Sequence, residues 1–163
     1  MKIIKSFLED DFFISLKELI VEGEFPWFQR TNMVPYRDND LGYFTHSFFN
    51  NNAINSDYYR KYISPILSKL EVKAPIQVRA NLSPSVFYKE EACDFHIDYP
   101  FSCKTAILYL NTCNGGTEFE IDNEIEFVKA EENKIVIFDT NIQHRGTKST
   151  DQDFRYIINF NYF

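Results

Sequence analysis

From Pro75 to the C-terminus the hydrophobic pattern has a period of two, and no helical pattern of useful length interrupts it. Pro75-Ile76-Gln77-Val78-Arg79-Ala80-Asn81-Leu82 alternates, with Gln77, Arg79 and Asn81 on one face and Val78, Ala80 and Leu82 on the other. Further short runs near 94–98, 104–111, 117–121, 125–130, 134–138, 142–147 and 154–162 read as strands divided by turns. Many short strands at regular spacing after a helical preface suggest a jelly roll with the helices packed outside. The expected fold is therefore mainly β with flanking helices (α+β), a double-stranded β-helix of the jelly-roll or cupin-like kind.

The first 75 or so residues read differently. An amphipathic helix is expected from about Phe7 to Val21, with Phe12, Phe13, Leu16, Leu19 and Ile20 on a shared face, Ser6 and Glu9 at capping-box spacing, and Gly23 as its stop. Aromatics and turn formers from Glu24 to Asn52 predict two short strands, near 26–34 and 42–49, joined by Arg37-Asp38-Asn39-Asp40. The aromatics there, with His46, suit a sheet core or the lining of a cleft. A second helix is expected from about Asp57 to Leu70, capped by Ser56, with Tyr58, Tyr62, Ile66 and Leu70 on one face and Pro65 kinking or dividing it. Without linker or repeat, the 163 residues are expected to form one domain: about 1–75 a helical and aromatic support region, about 76–163 the β core.

Charge narrows the partners. A net charge of −7 works against binding a phosphate backbone, which rests on clustered Lys and Arg. No apolar run is long enough for a membrane span and no secretory leader opens the chain, so the cytoplasm is the default expectation. Three cysteines without a C-x-x-C pair predict free thiols. Asn, Lys, Ile, Phe and Tyr are abundant together, and their AT-rich codons fit a low-GC source such as a virus or an AT-rich bacterium.

One triplet carries chemistry. In a strand, His96 and Asp98 point to the same face and can close on one metal ion, with His144 the natural third ligand. Two histidines and one carboxylate on one side of an octahedral ion leave three positions open. A His followed two places on by an acid arises by chance about 0.4 times in a chain of this composition, so its company decides. Lys104 to Asn111 is an apolar strand ending Tyr-Leu-Asn, and Gly115-Gly116-Thr117-Glu118-Phe119 turns into the next strand. Asn133 to Asp139 is a buried-looking strand that delivers His144, and Arg155 opens the last strand.

This ordered set, over roughly residues 79 to 163, resembles the Fe(II)- and 2-oxoglutarate-dependent dioxygenases, most closely their prolyl 4-hydroxylase-like branch. The resemblance implies Fe(II) held by His96, Asp98 and His144, and 2-oxoglutarate chelating the metal with its far carboxylate on Arg155 and the Tyr109 hydroxyl. It implies O2 as oxidant, ascorbate as reductant, and hydroxylation of a C–H bond with release of succinate and CO2. The substrate would be a peptidyl residue, prolyl included, or a small molecule. Arg79 and Asn81, on a strand feeding towards the triplet, are candidates for substrate or cosubstrate contact, and Arg145 should face away from His144. Two departures stand out: Ser83-Pro84 falls where an upstream tyrosine is often found, with Tyr88 nearer the metal, and Asn161 replaces the second arginine of the nucleic-acid demethylase branch. The other readings are a non-catalytic metal-binding jelly-roll module and an interaction protein in which the triplet is incidental.

Overall fold

A computed structural model describes residues 1–30, 43–85 and 92–163; the expected Arg37–Asp40 turn and Tyr88 lie outside them. In chain order come β1 (Lys2–Ile4), α1 (Asp10–Lys17), β2 (Phe28–Arg30), β3 (Tyr43–Asn50), β4 (Ala53–Ile54), α2 (Ser64–Lys69) and β5 (Pro75–Pro84). There follow β6 (Lys104–Tyr109), β7 (Gly116–Ile121), β8 (Glu124–Lys129), β9 (Lys134–Asp139), β10 (His144–Thr147) and β11 (Phe154–Tyr162). No helix among the described residues is long and apolar enough to cross a membrane.

The strands form two antiparallel sheets. The larger runs β1-β9-β6-β11-β5-β3-β2 with β4 on β3, and the smaller runs β10-β7-β8. Four strands from before residue 75 thus join the larger sheet. Ile107, Val136 and Phe138 of the large sheet pack against Phe119 and Val128 of the small one, so the sheets face each other as in a jelly roll. On the outer face of the large sheet, Leu16, Ile20, Ile63 and Ile66 of the helical segments cover Val78, Leu108 and Ile158. The alternation read for β5 holds: Val78 and Ala80 are in that outer core, while Arg79 and Asn81 face the space between the sheets. Two-residue hairpin loops join β3 to β4 at Asn51-Asn52 (φ 53 and 58) and β7 to β8 at Asp122-Asn123 (φ 53 and 64). Positive φ at both positions is the type I′ geometry that matches strand twist, and Asn and Asp tolerate it.

Several elements differ from expectation for physical reasons. α1 begins at Asp10 and no capping box forms: Ser6 is left-handed (φ 48), and Glu9 makes no side-chain cap. The Phe7 and Leu8 N–H groups instead donate to the backbone oxygen (2.9 Å) and Oδ1 (2.8 Å) of Asn133, a partner far along the chain. After Lys17 the helix widens to a π turn over Glu18–Glu22. Pro65 does divide the second helix, into a π turn (Tyr59–Ile63) and α2, where it sits in the first turn and its missing N–H costs no helical bond. His46 belongs to the core: it is buried on the outer face, packed on Phe25 and Phe48, with its ring nitrogens bonded to Pro26 O (2.9 Å) and Ser56 Oγ (2.8 Å).

Candidate metal centre

The run at 94–98 is no strand. Only isolated bridges, Ala92 to Thr147 and His96 to His144, tie it to β10. His96 and His144 exchange both backbone hydrogen bonds (3.0 Å each), which sets their rings side by side with centroids 4.6 Å apart. Beyond His96 the chain bends, and the Asp98 carboxylate turns towards the large sheet, where its Oδ2 accepts from Thr105 Oγ1 (3.1 Å) and Asn161 Nδ2 (2.7 Å). A continuous ladder would have kept it on β10.

The three side chains nevertheless converge, through the bend at Asp98 and not through the shared strand face that the spacing implied. Asp98 Oδ1 lies 3.8 Å from His96 Nε2 and 3.7 Å from His144 Nε2, and one ligand atom from each of the three falls within 4.8 Å of the others. Each imidazole turns its other nitrogen to a carbonyl, His96 Nδ1 to Asp94 O (3.1 Å) and His144 Nδ1 to Ile142 O (3.0 Å). A carbonyl only accepts, so Nδ1 carries the proton and the Nε2 lone pair faces the centre, as a metal ligand requires. Edge-on contact with Phe138 (4.8 Å, 68°) and the near-parallel ring of Phe119 hold His144 in place. Burial lowers the His144 pKa more than the facing Asp98 raises it, keeping the ring neutral. Burial would raise Asp98, but His144, Asn161, His96 and Thr105 together outweigh it and hold the carboxyl below the usual carboxylate range. Two imidazoles and one carboxylate fit a divalent first-row ion.

From this centre a cavity runs between the sheets to Arg155, with Arg79, Asn81, Thr117 and Asn159 along its wall. Its volume is about 100 Å³, and since one water occupies about 10–15 Å³ on the same measure, it has room for about seven to ten water-sized groups, the size class of a small organic acid. Arg155 is 5% exposed, and its Nε and Nη1 have no hydrogen-bond partner among the described residues. A buried cation left so costs several kcal/mol, about what an incoming carboxylate would recover. Gly146 makes room for the guanidinium: a Cβ there would sit 2.7 Å from Nη2.

Tyr109 lies one layer behind the cavity. Its hydroxyl donates to Thr117 Oγ1 (2.8 Å), and Thr117 is the residue on the wall. Burial pushes the Tyr109 pKa up to about 12 against the opposing pull of Thr117 and Arg155, so the phenol stays a donor. Arg145 faces away as expected, bonded to Glu118 (2.6 Å) over the Phe95 ring. Cys93 lines the cavity, and none of the three cysteines is in a disulfide. Sequence reading missed Thr117, Thr105 and Asn161 as site residues; the Gly-Gly-Thr turn and the asparagine six places after Arg155 were the only signals.

No family model and no curated protein matches the chain. Solved structures do. A prolyl hydroxylase from Trichoplax adhaerens, in complex with a peptide fragment of the hypoxia inducible factor oxygen degradation domain, superposes with a TM-score of 0.67 at 17% identity, over 99% of this chain and 82% of that one. A Pseudomonas putida prolyl-4-hydroxylase gives 0.71 at 14% identity, over 99% and 90%. The non-heme alpha-ketoglutarate-dependent epimerase SnoN from nogalamycin biosynthesis gives 0.66 at 12% identity, over 99% and 76%. At such identities the likeness is one of fold, and the chain has the jelly-roll fold these enzymes share.

Proposed function

We propose that the chain is an Fe(II)- and 2-oxoglutarate-dependent oxygenase that hydroxylates a C–H bond of a peptidyl or small-molecule substrate. One observation carries this reading. A buried guanidinium with unmatched N–H groups faces the same small cavity as a two-histidine, one-carboxylate cluster. A metal-binding module with no dicarboxylate to hold has no use for that cation.

Bound Fe(II) with the keto acid and O2 supplies oxidation of the substrate, the keto acid leaving as succinate and CO2. The protein's part is to hold and orient. His96, Asp98 and His144 furnish one face of the ion. Arg155 takes the far carboxylate in its planar fork, and Thr117, its hydroxyl oxygen already engaged by Tyr109, directs its own proton to that carboxylate. Tyr109 thereby acts through Thr117. Ile107 and Ile157 give the cavity apolar wall that excludes water around the reacting centre. Arg79 and Asn81, both on the cavity wall, are the candidate contacts to the substrate or cosubstrate. The peptide held by one structural neighbour supports a peptidyl substrate, prolyl among the candidates.

The test is anaerobic titration with Fe(II) and 2-oxoglutarate, watched for the weak visible metal-to-ligand charge-transfer band of a chelated keto acid. The band is expected in the wild type and absent in His96→Ala. A folded, iron-loaded protein without the band would move the reading to a non-catalytic binding module.

A further inference from the structure

The carboxylate of Asp98 has two oxygens, and the fold treats them differently. Oδ1 faces the two imidazoles, whereas Oδ2 meets Asn161 of β11 and Thr105 of β6. Those two residues are direct partners in the β6–β11 register and are 2% and 0% exposed. Asn161 Nδ2 also donates to Thr105 Oγ1 at 2.9 Å. The protons can be assigned without ambiguity. A carboxylate only accepts, so Asn161 must present its NH2 end, with one N–H to Oδ2 and the other to the threonine oxygen. Thr105 then has one proton left, and it goes to Oδ2. The three bonds close a triangle in which every donor is used.

We infer that Asn161 and Thr105 are positioning residues that hold Asp98 to ligation through a single oxygen. The inference rests on the metal centre proposed above. A carboxylate can bind an ion with one oxygen or with both. If Asp98 used both, the protein would fill four of six octahedral positions, and a chelating keto acid would take the remaining two. Two charge-assisted hydrogen bonds on Oδ2 tie that oxygen to the large sheet. Three positions then stay open, two for the keto acid and one beyond it for O2.

Mn(II) tests this without turnover, because the water-proton relaxivity of its protein complex counts coordinated waters. Wild type, Asn161→Ala and Thr105→Val would each be loaded with Mn(II), their folding checked by thermal melts. Thr105→Val is close to isosteric, so the clamp can be weakened even if the asparagine variant does not fold. The wild-type complex is expected to show about three waters. Each variant should lose about one third of the inner-sphere relaxivity, and with saturating 2-oxoglutarate nearly all of it, where the wild type keeps one water. A purely structural role would lower the melting temperature or the metal affinity and leave the water count unchanged; that result overturns the inference and spares the metal centre. A folded wild type that gains no relaxivity with Mn(II) overturns both.

Discussion

Arg155 and His144 are where single substitutions report most directly on the site. Arg155→Ala removes charge-assisted hydrogen bonds worth about 1.5–3 kcal/mol each, so the 2-oxoglutarate dissociation constant should rise at least about tenfold. Metal affinity, read by Mn(II) titration, should change by less than about twofold. Gly146→Ala, which crowds Nη2, should weaken 2-oxoglutarate to a smaller degree with metal affinity intact. Titration calorimetry with each ligand separates the two effects. His144 has a pKa below its unfolded value, near 6.5, so the unfolded chain takes up its proton first as pH falls. This contribution to the stability of the metal-free protein is therefore full above about pH 6.5 and declines as pH drops through the folded pKa. Urea midpoints in chelator between about pH 7 and 5 should show the decline, and His144→Gln should flatten it. At this scale the cluster of His96, Asp98 and His144 was legible from residue type and order along the chain, although the strand expected to align the first two does not form. Asn161 was not, because its meaning lies in Asp98, 63 positions away.

Elements were readable wherever the pattern is local. β5 follows from alternation, β6 and β9 from short apolar runs bounded by turns, and the second helix divides at Pro65 because proline acts on its own turn. The start of α1 was misread because its decisive partner, Asn133, comes from the β8–β9 connection, 125 residues on. The run at 94–98 looked like a strand and is instead bent by the attraction of its carboxylate to β6 and β11. β1 left no sequence signal, being a three-residue edge strand paired with β9. Asn111, two residues past the end of β6, has a use that the sequence concealed. Asn111 Nδ2 donates to Phe154 O (2.9 Å) and its Oδ1 accepts from Tyr156 N (2.9 Å), which clamps β11 on both sides of Arg155. Asn111→Ala should cost about 1–3 kcal/mol in urea unfolding and weaken 2-oxoglutarate binding, although Asn111 is not on the cavity wall. Phe138→Ala, which empties a site against the His144 ring, should cost about 3–5 kcal/mol and lower metal affinity as well.

Across the whole molecule the candidate metal cluster draws on both sheets. His144 lies on β10 of the small sheet, while Asp98 is fastened by Thr105 and Asn161 to the large one. A bound ion therefore joins the two layers. At a metal concentration a hundredfold above the dissociation constant, stability should rise by about 2.7 kcal/mol, or about 5–10 °C in melting temperature for a domain of this size. Chelator should reverse the shift and Asp98→Ala should abolish it. Strand β11 runs through the middle of this arrangement. Tyr156, Ile158, Phe160 and Tyr162 pack towards the helices, while Arg155, Ile157, Asn159 and Asn161 look into the cavity or onto Asp98. Were every position of the strand varied and the library sorted once for abundance and once for turnover, the tolerated residues would form two combs offset by a single tooth. Selection can thus retune the chemistry on one set of teeth while the other keeps the protein folded.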